Sequence, residues 1–413
     1  MGGASCSRAR VGDVAAWIEA WAAPMAPENV PLAEAAGRVL AADVPARTEL
    51  PRLDRAAADG FALVADETVG AGAYNPLPFR LVPASAGVRS GHAVAVESGD
   101  PLPAGADAVV RLEHAAPDMP GTISIIAPVA IGNEVERAGS HVALGSVLVA
   151  GDRRLGPGEI GLLAAAGVER VSVVGRPRVR CLLAAGPQPS ATHDANGPML
   201  AALIERDGGV MVERRRVERS RAVLRDALGS PGADIVLVAG GTGPGAGDEA
   251  AGALADAGEL TIHGVALRPG ETAGAGRAAA GGVPVFLLPG TPAACLWAYE
   301  LLAGSALRRL AGRSPELAFA TRQMRLGRKI VSEIGMTEIC PMRFSPDGQV
   351  EPLASFAEAG LVAAAGGDGF VIVPEASEGY PQGSAVTVHL YPGRGQTPRV
   401  TAGVQRQPGK RGV

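Results

Sequence analysis

The sequence predicts a multidomain protein of the α/β class with additional β-rich parts, and three observations predict it. Residues 177–312 alternate short apolar runs with helical patterns, which is typical of a central parallel sheet with helices on both faces. Residues 41–139 carry short apolar segments punctuated by proline, and residues 320–392 return to short alternating segments. Both patterns are typical of strands separated by turns. The length of 413 residues allows two to four domains.

The predicted elements follow in chain order. Residues 11–40 favour amphipathic helix, because Val14, Trp17, Ile18 and Trp21 recur on one face. Further helices are predicted at Gly158–Ala166, Asn196–Arg206, Arg221–Leu228, Asp248–Asp256 and Ala293–Ala311. Strands are predicted at Val168–Val174, Arg178–Ala184, Val210–Arg216, Ile235–Ala239, Leu260–Leu267, Val283–Leu288, Gln323–Val331, Ile339–Phe344, Phe370–Val373 and Ala385–Tyr391. Asp347-Gly348 predicts a hairpin turn.

Composition limits the possible partners. Hydrophobic residues make up 47% of the chain, which is enough for packed cores. Aromatic residues make up only 3% and the net charge is −4, so we expect no nucleic-acid partner. The N-terminal residues MGGASCSRARVGD contain no apolar segment of the kind found in signal peptides, and no run of 18 apolar residues follows. We therefore expect a cytoplasmic protein without a membrane span.

The four cysteines suggest no redox or zinc chemistry. Cys6, Cys181, Cys295 and Cys340 are widely spaced and form no C-x-x-C motif. Cys181 and Cys295 lie in apolar surroundings, so we expect buried thiols rather than reactive ones.

The segment Ala233–Asp248 is the most informative part of the chain. A buried strand at Ile235–Ala239 is followed by five glycines in the eight residues of Gly240–Gly247, and Asp248 then opens a predicted helix. In this arrangement, backbone N–H groups and a helix N-terminus can bind an anion. Glycine also lets a ligand approach the backbone closely. Composition alone is equally compatible with a plain connection between strand and helix.

Three further loops follow predicted strands of the same region: Ala185–Asn196, Arg268–Thr272 and Pro289–Pro292. In open α/β sheets, ligands bind beyond the carboxyl ends of the strands, so the four loops together predict a site there. Two β-rich segments, Asp54–Leu63 and Ser98–Val110, each contain a Pro/Gly or Asp-Gly turn. Taken singly, each of these two is more typical of a β-turn than of a functional site.

Six motifs in order resemble the molybdopterin molybdenumtransferase family, which includes the bacterial insertase and the gephyrin E-domain. Residues 59–62 (DGFA) resemble its M-D-G-Y-A, residues 98–110 (SGDPLPAGADAVV) its T-G-x-P-L-P-x-G-A-D-A-V-V, residues 194–196 (DAN) its D-[ST]-N, residues 240–248 (GGTGPGAGD) its G-G-V-S-x-G-x-x-D, residues 269–270 its P-G-K-P and residues 288–292 (LPGTP) its L-P-G-N-P. The resemblance extends from about residue 11 to residue 391.

The resemblance implies a four-part architecture. Its parts are an elongated segment (1–46 and 140–176), a β-rich domain (47–139), an α/β molybdopterin-binding domain (177–318) and a small C-terminal β domain (319–392), followed by a disordered tail (393–413). It also implies a homodimer whose cleft lies between the α/β domain of one subunit and the Asp59/Ser98 domain of the other. A molybdopterin adenylyltransferase or a molybdoenzyme is implied as a partner.

The implied activity is the insertion of molybdate into adenylylated molybdopterin, with a divalent cation such as Mg²⁺ and release of AMP. Catalytic roles fall on Asp59, Ser98, Asp194 and Asp248, and the three aspartates would serve as metal ligands. The implied pterin- and phosphate-binding residues are Arg137, Asn196, Gly240, Gly241, Thr242, Gly243, Gly245, Pro269, Gly270, Pro289, Gly290, Thr291 and Pro292.

Several family positions are altered. The family's S-T-G-D-E-L is replaced around Ala185–Pro189, where Gln188 or its neighbour stands for a glutamate; His141 replaces a carboxylate of R-R-G-E-D. Glu271 replaces the lysine of P-G-K-P, which reverses a charge beside the expected anion site. Two hypotheses follow. One is a working insertase with a shifted ligand set, and the alternative is an impaired paralogue that binds or delivers pterin cofactor.

Overall fold

The computed structural model describes residues 8–186, 194–278, 282–353 and 360–393. The chain divides into two compact units: unit 1 is Met1–Ala26 with Val174–Val413, and unit 2 is Pro27–Val173. Some sequence predictions lie outside the described residues, namely those for Cys6, the turn at Pro187–Pro189 with Gln188, and the tail from residue 394 onward. No helix in the described ranges combines the length and apolarity that crossing a bilayer requires.

The described residues form the following elements. The α-helices are α1 (Val11–Glu19), α2 (Pro157–Ala165), α3 (Asn196–Arg206), α4 (Arg221–Leu228), α5 (Ala250–Ala257), α6 (Pro292–Ala298), α7 (Gly304–Leu310) and α8 (Leu361–Gly366). The strands up to residue 174 are β1 (Pro27–Pro31), β2 (Val44–Pro45), β3 (Arg55–Ala56), β4 (Gly60–Leu63), β5 (Leu77–Leu81), β6 (His92–Val96), β7 (Ala108–Arg111), β8 (Ala115–Pro117), β9 (Thr122–Ile125), β10 (Val135–Glu136), β11 (Val147–Val149) and β12 (Arg170–Val174). The later strands are β13 (Arg178–Ala185), β14 (Val210–Glu218), β15 (Ile235–Ala239), β16 (Gly258–His263), β17 (Leu267–Arg268), β18 (Gly274–Ala278), β19 (Val283–Leu288), β20 (Ala320–Arg325), β21 (Ile330–Val331), β22 (Thr337–Phe344), β23 (Val350–Pro352), β24 (Gly369–Val373), β25 (Gly379–Tyr380) and β26 (Ala385–Leu390). Short 3₁₀ helices lie at Leu32–Glu34, Ala65–Thr68, Ala84–Ala86 and Leu112–His114, and a π-helical segment lies at Tyr299–Ala303.

Unit 2 is built on a six-stranded sheet in the order β7-β4-β6-β5-β9-β8. Its pairs are antiparallel except for β5 with β6. Ribbons β3–β10, β2–β11 and β1–β12 complete the unit. The prediction that residues 41–139 form short strands between turns is confirmed.

Unit 1 contains the central sheet, in the order β14-β13-β15-β19-β18-β16. Successive side chains of a strand point to opposite faces. Leu237 accordingly packs in one buried cluster with residues of α1, α3, α6 and α7, whereas Val236 and Val238 pack in a second cluster with residues of α4 and α5. Helices therefore cover both faces, which confirms the predicted α/β character.

The prediction of a wholly parallel central sheet is wrong. Strands β14, β13, β15 and β19 pair in parallel, but β18 pairs antiparallel with both β19 and β16. A parallel pair needs a crossover of a dozen or more residues, and the connections from β16 through β18 to β19 are too short for one. The sheet is therefore mixed.

Two helix predictions also need correction. Residues 11–40 do not stay helical, because α1 ends at Glu19 and Pro27–Pro31 form strand β1. The helix expected to open at Asp248 begins at Ala250. The long helix predicted at Ala293–Ala311 is present as α6, the π-helical segment and α7 in succession.

The C-terminal part of unit 1 forms a second sheet in the order β17-β22-β24-β26-β20. The predicted Asp347-Gly348 hairpin is confirmed, since Gly348 has a φ of +81° and Phe344 pairs with Val350. Strand β17 pairs with β22 through Leu267 and Thr337, so the loop that follows β17 is attached to this second sheet.

Candidate functional site

A cleft of about 520 Å³ lies at the carboxyl end of the central sheet, where the sequence placed a ligand site. It is lined by Ala184, Arg219, Gly240–Gly243, Asp248, Gly270–Thr272, Pro289–Thr291 and Ala294. Three of the four predicted loops therefore line one cleft. Much of its wall is glycine and proline, so backbone atoms are accessible to a ligand.

Two glycines let the strand ends come close together. Gly240 has a φ of +97°, and a Cβ built there would lie 2.8 Å from the carbonyl oxygen of Ala184. A Cβ at Gly290 would lie 3.2 Å from the Cα of Gly240. The ends of β13, β15 and β19 thus converge only because these two positions carry no side chain.

The carboxylate of Asp248 folds back onto the glycine loop instead of capping a helix. A Cβ at Gly243 would lie 2.6 Å from Asp248 Oδ2, and one at Gly245 would lie 3.1 Å from it. Asp248 Oδ1 pairs with an Arg219 N–H at 3.4 Å. The glycines at 243 and 245 therefore make room for an acidic group of the chain itself.

Threonine hydroxyls join two walls of the cleft. Thr242 is 3% exposed, and its Oγ1 lies 2.9 Å from Oγ1 of Thr272, with which it shares a hydrogen bond. His263 Nε2 donates to the Thr242 carbonyl at 3.0 Å, which assigns the proton to that nitrogen. The sequence analysis did not single out Thr272 or His263.

Asn196 connects the start of α3 with the Pro289–Pro292 loop. Its Nδ2 donates to the Gly290 carbonyl at 2.9 Å, and its buried Oδ1 has no donor among the described residues. Asp194 Oδ1 accepts the Gly197 N–H at 2.9 Å. A Cβ at Gly197 would lie 2.3 Å from Asp194 Oδ2, so this carboxylate is held against the first turn of α3.

Pro292 is the first residue of α6, with Thr291 before it. Proline at this position is favourable because the first N–H groups of a helix have no intrahelical acceptor. This helix end lies beside the cleft, of which Thr291 and Ala294 are lining residues.

Glu271 reverses a charge at the cleft, but its carboxylate is not free. Oε1 accepts an Arg268 Nε–H at 3.0 Å, and Oε2 accepts the Gly270 N–H at 3.1 Å. Burial acts to raise the pKa of Glu271, but hydrogen bonds from its own N–H, from Gly270 and from Arg268 outweigh burial and lower it. Glu271 is therefore a paired carboxylate at neutral pH, and its repulsion toward an anion is weakened.

Arg268 holds this loop to the second sheet. Its NH1 also donates to Glu333 and to Glu338, each at 2.9 Å. Glu338 is 2% exposed, and its Oε2 accepts no hydrogen bond from the described residues. These carboxylates together raise the pKa of Arg268, although burial acts in the opposite direction.

In unit 2, the two predicted motifs around Asp59 and Ser98 meet. Ser98 N–H donates to Asp59 Oδ1 at 2.7 Å, and Ser98 Oγ donates to the Ala57 carbonyl at 3.1 Å. Ala56 N–H donates to the Asp100 carbonyl at 2.9 Å. The motifs that looked like separate turns therefore form one surface.

Arg137 belongs to the same part of unit 2 but is already paired. Its NH1 donates to Asp54 Oδ2 at 2.7 Å, and Ala138 N–H donates to Asp54 Oδ1 at 2.8 Å. The hydrogen bonds from Ala138 and Arg137 lower the pKa of Asp54. His141 stands where the family motif has a carboxylate, and its Nε2 lies 3.9 Å from Glu136 Oε1.

The predicted metal ligands are not gathered within either unit. Asp59 is in unit 2, whereas Asp194 and Asp248 are in unit 1. Over the described ranges, no group of three or more acidic, histidine or cysteine side chains is arranged to hold a metal ion. The three described cysteines are free and buried, and burial raises the pKa of Cys181 to about 12, so the expectation of unreactive thiols at 181 and 295 is confirmed.

Comparisons with known proteins decide the family. Residues 10–167 match the MoeA N-terminal region (domain I and II), and residues 146–309 match a family described as "Probable molybdopterin binding domain". Molybdopterin molybdenumtransferase 1 of Mycobacterium tuberculosis is 30% identical over 331 residues, covering 72% of this chain and 77% of the relative. The chain belongs to the molybdopterin molybdenumtransferase family.

Other members of the molybdopterin molybdenumtransferase family match over greater lengths. The Staphylococcus epidermidis molybdopterin molybdenumtransferase is 27% identical over 397 residues, covering 88% of this chain and 90% of the relative. The crystal structure of the molybdopterin biosynthesis moeA protein from Pyrococcus horikoshii OT3 superposes with a TM-score of 0.75 at 26% identity, covering 93% of this chain and all of that one. This family acts in molybdenum cofactor biosynthesis.

Sequence reasoning missed Arg219, a cation that lines the cleft. Arg219 follows β14 directly, and no other Lys or Arg lines the cleft among the described residues. The run of arginines at 214–216 gave no sign that a later arginine would turn toward the glycine loop. Arg268, by contrast, stood in a predicted loop, but its pairing with Glu338 depends on contact between two sheets.

Proposed function

We propose that the protein is a working molybdopterin molybdenumtransferase. It binds adenylylated molybdopterin and molybdate, hydrolyses the adenylate and releases AMP together with the molybdenum-loaded pterin. The observation that carries this proposal is the cleft: a glycine loop, a helix N-terminus and two Pro-Gly turns meet at the carboxyl end of the central sheet. Such a backbone-lined site suits the phosphates of the substrate.

The proposal gives a role to the cleft, to Asn196 beside it and to residues of unit 2. The N–H groups of Gly241, Thr242 and Gly243 and of the first turn of α6 bind phosphate oxygens, whereas the Gly240 N–H already donates to the Leu288 carbonyl. Asn196 donates through Nδ2 to the Gly290 carbonyl, and its Oδ1, which has no donor among the described residues, is offered to a donor on the pterin. In unit 2, Asp59 Oδ1 accepts the Ser98 N–H and so orients that residue, and family membership gives these two residues a part in the hydrolysis. Arg137 and Asp54 form the neighbouring ion pair.

The residues present fit Mg²⁺ as a substrate-bound ion. Magnesium is usually held by one or two carboxylates together with substrate phosphates, so a three-carboxylate cage is not needed. Asp194 and Asp248 each retain acceptor capacity beyond the hydrogen bonds that they accept from Gly197 and Arg219. The ion, when bound, would polarise the phosphoryl oxygens and neutralise developing charge.

The remaining features of the proposal come from family membership. They are the four-part domain layout, a homodimer, a cytoplasmic location and a molybdopterin adenylyltransferase or molybdoenzyme as partner. Sedimentation of the purified protein tests the homodimer directly. The alternative of an impaired delivery paralogue is not favoured, because relatives over most of the chain carry the transferase name and the Glu271 carboxylate is paired with Arg268.

AMP release tests the proposal. Purified protein incubated with adenylylated molybdopterin, molybdate and Mg²⁺ releases AMP, measured by chromatography. Asp59→Asn lowers the rate by about a hundredfold or more, since it removes a carboxylate from the reacting site. Asp66→Asn, an exposed aspartate of the same unit, serves as the control and retains the wild-type rate. Pterin binding without AMP release by the wild type would refute the proposal.

A further inference from the structure

Arg219 supplies the only positive side chain that lines the cleft within the described residues. We propose that Arg219 is an anion-recognition residue that exchanges partners. Without ligand, the Arg219 guanidinium pairs with Asp248. When a phosphate or molybdate oxyanion binds, the guanidinium pairs with that anion instead, and Asp248 becomes available to a divalent cation. The identity of the oxyanion rests on the proposed function.

The backbone fixes Arg219 at the cleft. Its N–H donates to the Ala185 carbonyl at 2.9 Å, directly after the last pair of β13 with β14, Ala185 with Glu218. Ser220 and α4 follow. Arg219 therefore begins from a hydrogen-bonded position at the sheet edge, and only its side chain needs to move.

The glycine loop is shaped to receive this side chain. A Cβ at Gly241 would lie 3.3 Å from Arg219 Cδ, tighter than most real contacts of a Cβ. Gly241 also has a φ of +68°, which favours glycine. The stem of Arg219 thus lies along the loop to which the proposed function assigns phosphate binding.

The resting pair with Asp248 is weak. Arg219 NH1 and Asp248 Oδ1 are 3.4 Å apart, and the side chains of Arg219 and Asp248 are 40% and 23% exposed. Exposed pairs of this kind contribute little stability. By contrast, Arg221 of the next helix makes two bonds of 2.6 and 2.7 Å to Asp256. A guanidinium binds phosphate through parallel charge-assisted hydrogen bonds, so an incoming oxyanion competes well with Asp248.

Charge balance makes the exchange useful. Among the described residues, the charged side chains that line the cleft are Arg219, Asp248 and Glu271, and Glu271 is paired with Arg268. Without Arg219, only carboxylates would face an entering dianion. With Arg219 present, the entering anion has a cationic partner. Once Arg219 pairs with that anion, it no longer competes with a metal ion for the Asp248 carboxylate.

The test measures two affinities that should change in opposite directions. In Arg219→Gln, we expect the affinity for AMP and for inorganic molybdate, measured by calorimetry, to fall about tenfold or more. The affinity of the ligand-free protein for Mn²⁺, measured by electron paramagnetic resonance, should rise by about twofold to fivefold, because Asp248 has lost a weak partner. Arg219→Lys keeps the charge but not the planar fork, and should give an intermediate anion affinity.

Arg221→Gln is the matched control, because it removes an exposed arginine two positions away that lies outside the cleft. It should leave both affinities unchanged. Anion affinity in Arg219→Gln equal to that of the wild type would overturn the inference, and so would a parallel fall in anion and Mn²⁺ affinity, which indicates a purely structural role. If the wild type releases no AMP from adenylylated molybdopterin yet Arg219→Gln weakens AMP binding, the proposed function fails and this inference stands.

Discussion

Replacing Gly240 by alanine tests the geometry on which the cleft depends. Its φ of +97° lies in a region that costs a residue with a Cβ about 1–2 kcal/mol. The new Cβ would also begin 2.8 Å from the Ala184 carbonyl oxygen, a backbone atom that cannot rotate away. Together these effects predict a loss of about 2–4 kcal/mol in the free energy of unfolding of unit 1.

Tryptophan fluorescence during urea unfolding measures this loss in the right unit. All three tryptophans of the chain, Trp17, Trp21 and Trp297, lie in unit 1. Gly247→Ala is the matched control in the same loop, because its Cβ would meet nothing within 4 Å and its φ is not positive. We expect the control to change stability by less than about 1 kcal/mol. Equal effects of Gly240→Ala and Gly247→Ala would refute the claim that backbone convergence shapes the cleft.

Two further changes probe the cleft walls. Thr242→Val leaves the Thr272 hydroxyl without its partner and should lower the free energy of unfolding by about 1–2 kcal/mol in the same urea assay. Adding Thr272→Val to this variant should lower it little further, and strictly additive losses would contradict a shared hydrogen bond. Glu271→Gln should flatten the dependence of the melting temperature on pH. Because the folded-state pKa of Glu271 is lowered, its stabilisation is present above the ordinary carboxyl pKa and is lost as the pH falls through the folded value; identical wild-type and variant curves on acidification would contradict this pairing.

The sequence predicted the parallel half of the central sheet well because local patterns determine it. Ile235–Ala239 is a continuous apolar run, and it forms a strand with those bounds. The amphipathic patterns at Asn196–Arg206 and Arg221–Leu228 likewise form helices with those bounds. The Gly/Pro loops after these strands lie at the cleft because the carboxyl ends of parallel strands share one edge.

Strand β18 shows why the antiparallel half was missed. Its sequence, Gly-Ala-Gly-Arg-Ala, carries no β-branched residue and gives no strand signal. Tertiary contact determines it instead: a Cβ at Gly276 would lie 2.0 Å from the Glu259 carbonyl oxygen, and one at Gly274 would lie 2.7 Å from that of Ile262. Small residues are required there by the neighbouring backbone of β16.

The charges of the cleft were predictable only in part. The acidic character of Glu271 was visible in the sequence, but its ion pair depends on Arg268, which also donates to Glu338 on β22. The partner of Asp248 is Arg219, which is 29 positions away in the chain. Such pairs depend on which side chains the fold brings together, and no local pattern specifies them.

The molybdenum content of the pterin product tests the central claim most directly. The protein is incubated with adenylylated molybdopterin, molybdate and Mg²⁺, and the released pterin is analysed for metal by mass spectrometry alongside AMP. We predict that molybdenum-loaded pterin and AMP form together and that both depend on added molybdate. AMP with a metal-free pterin, or neither product despite bound substrate, would contradict it.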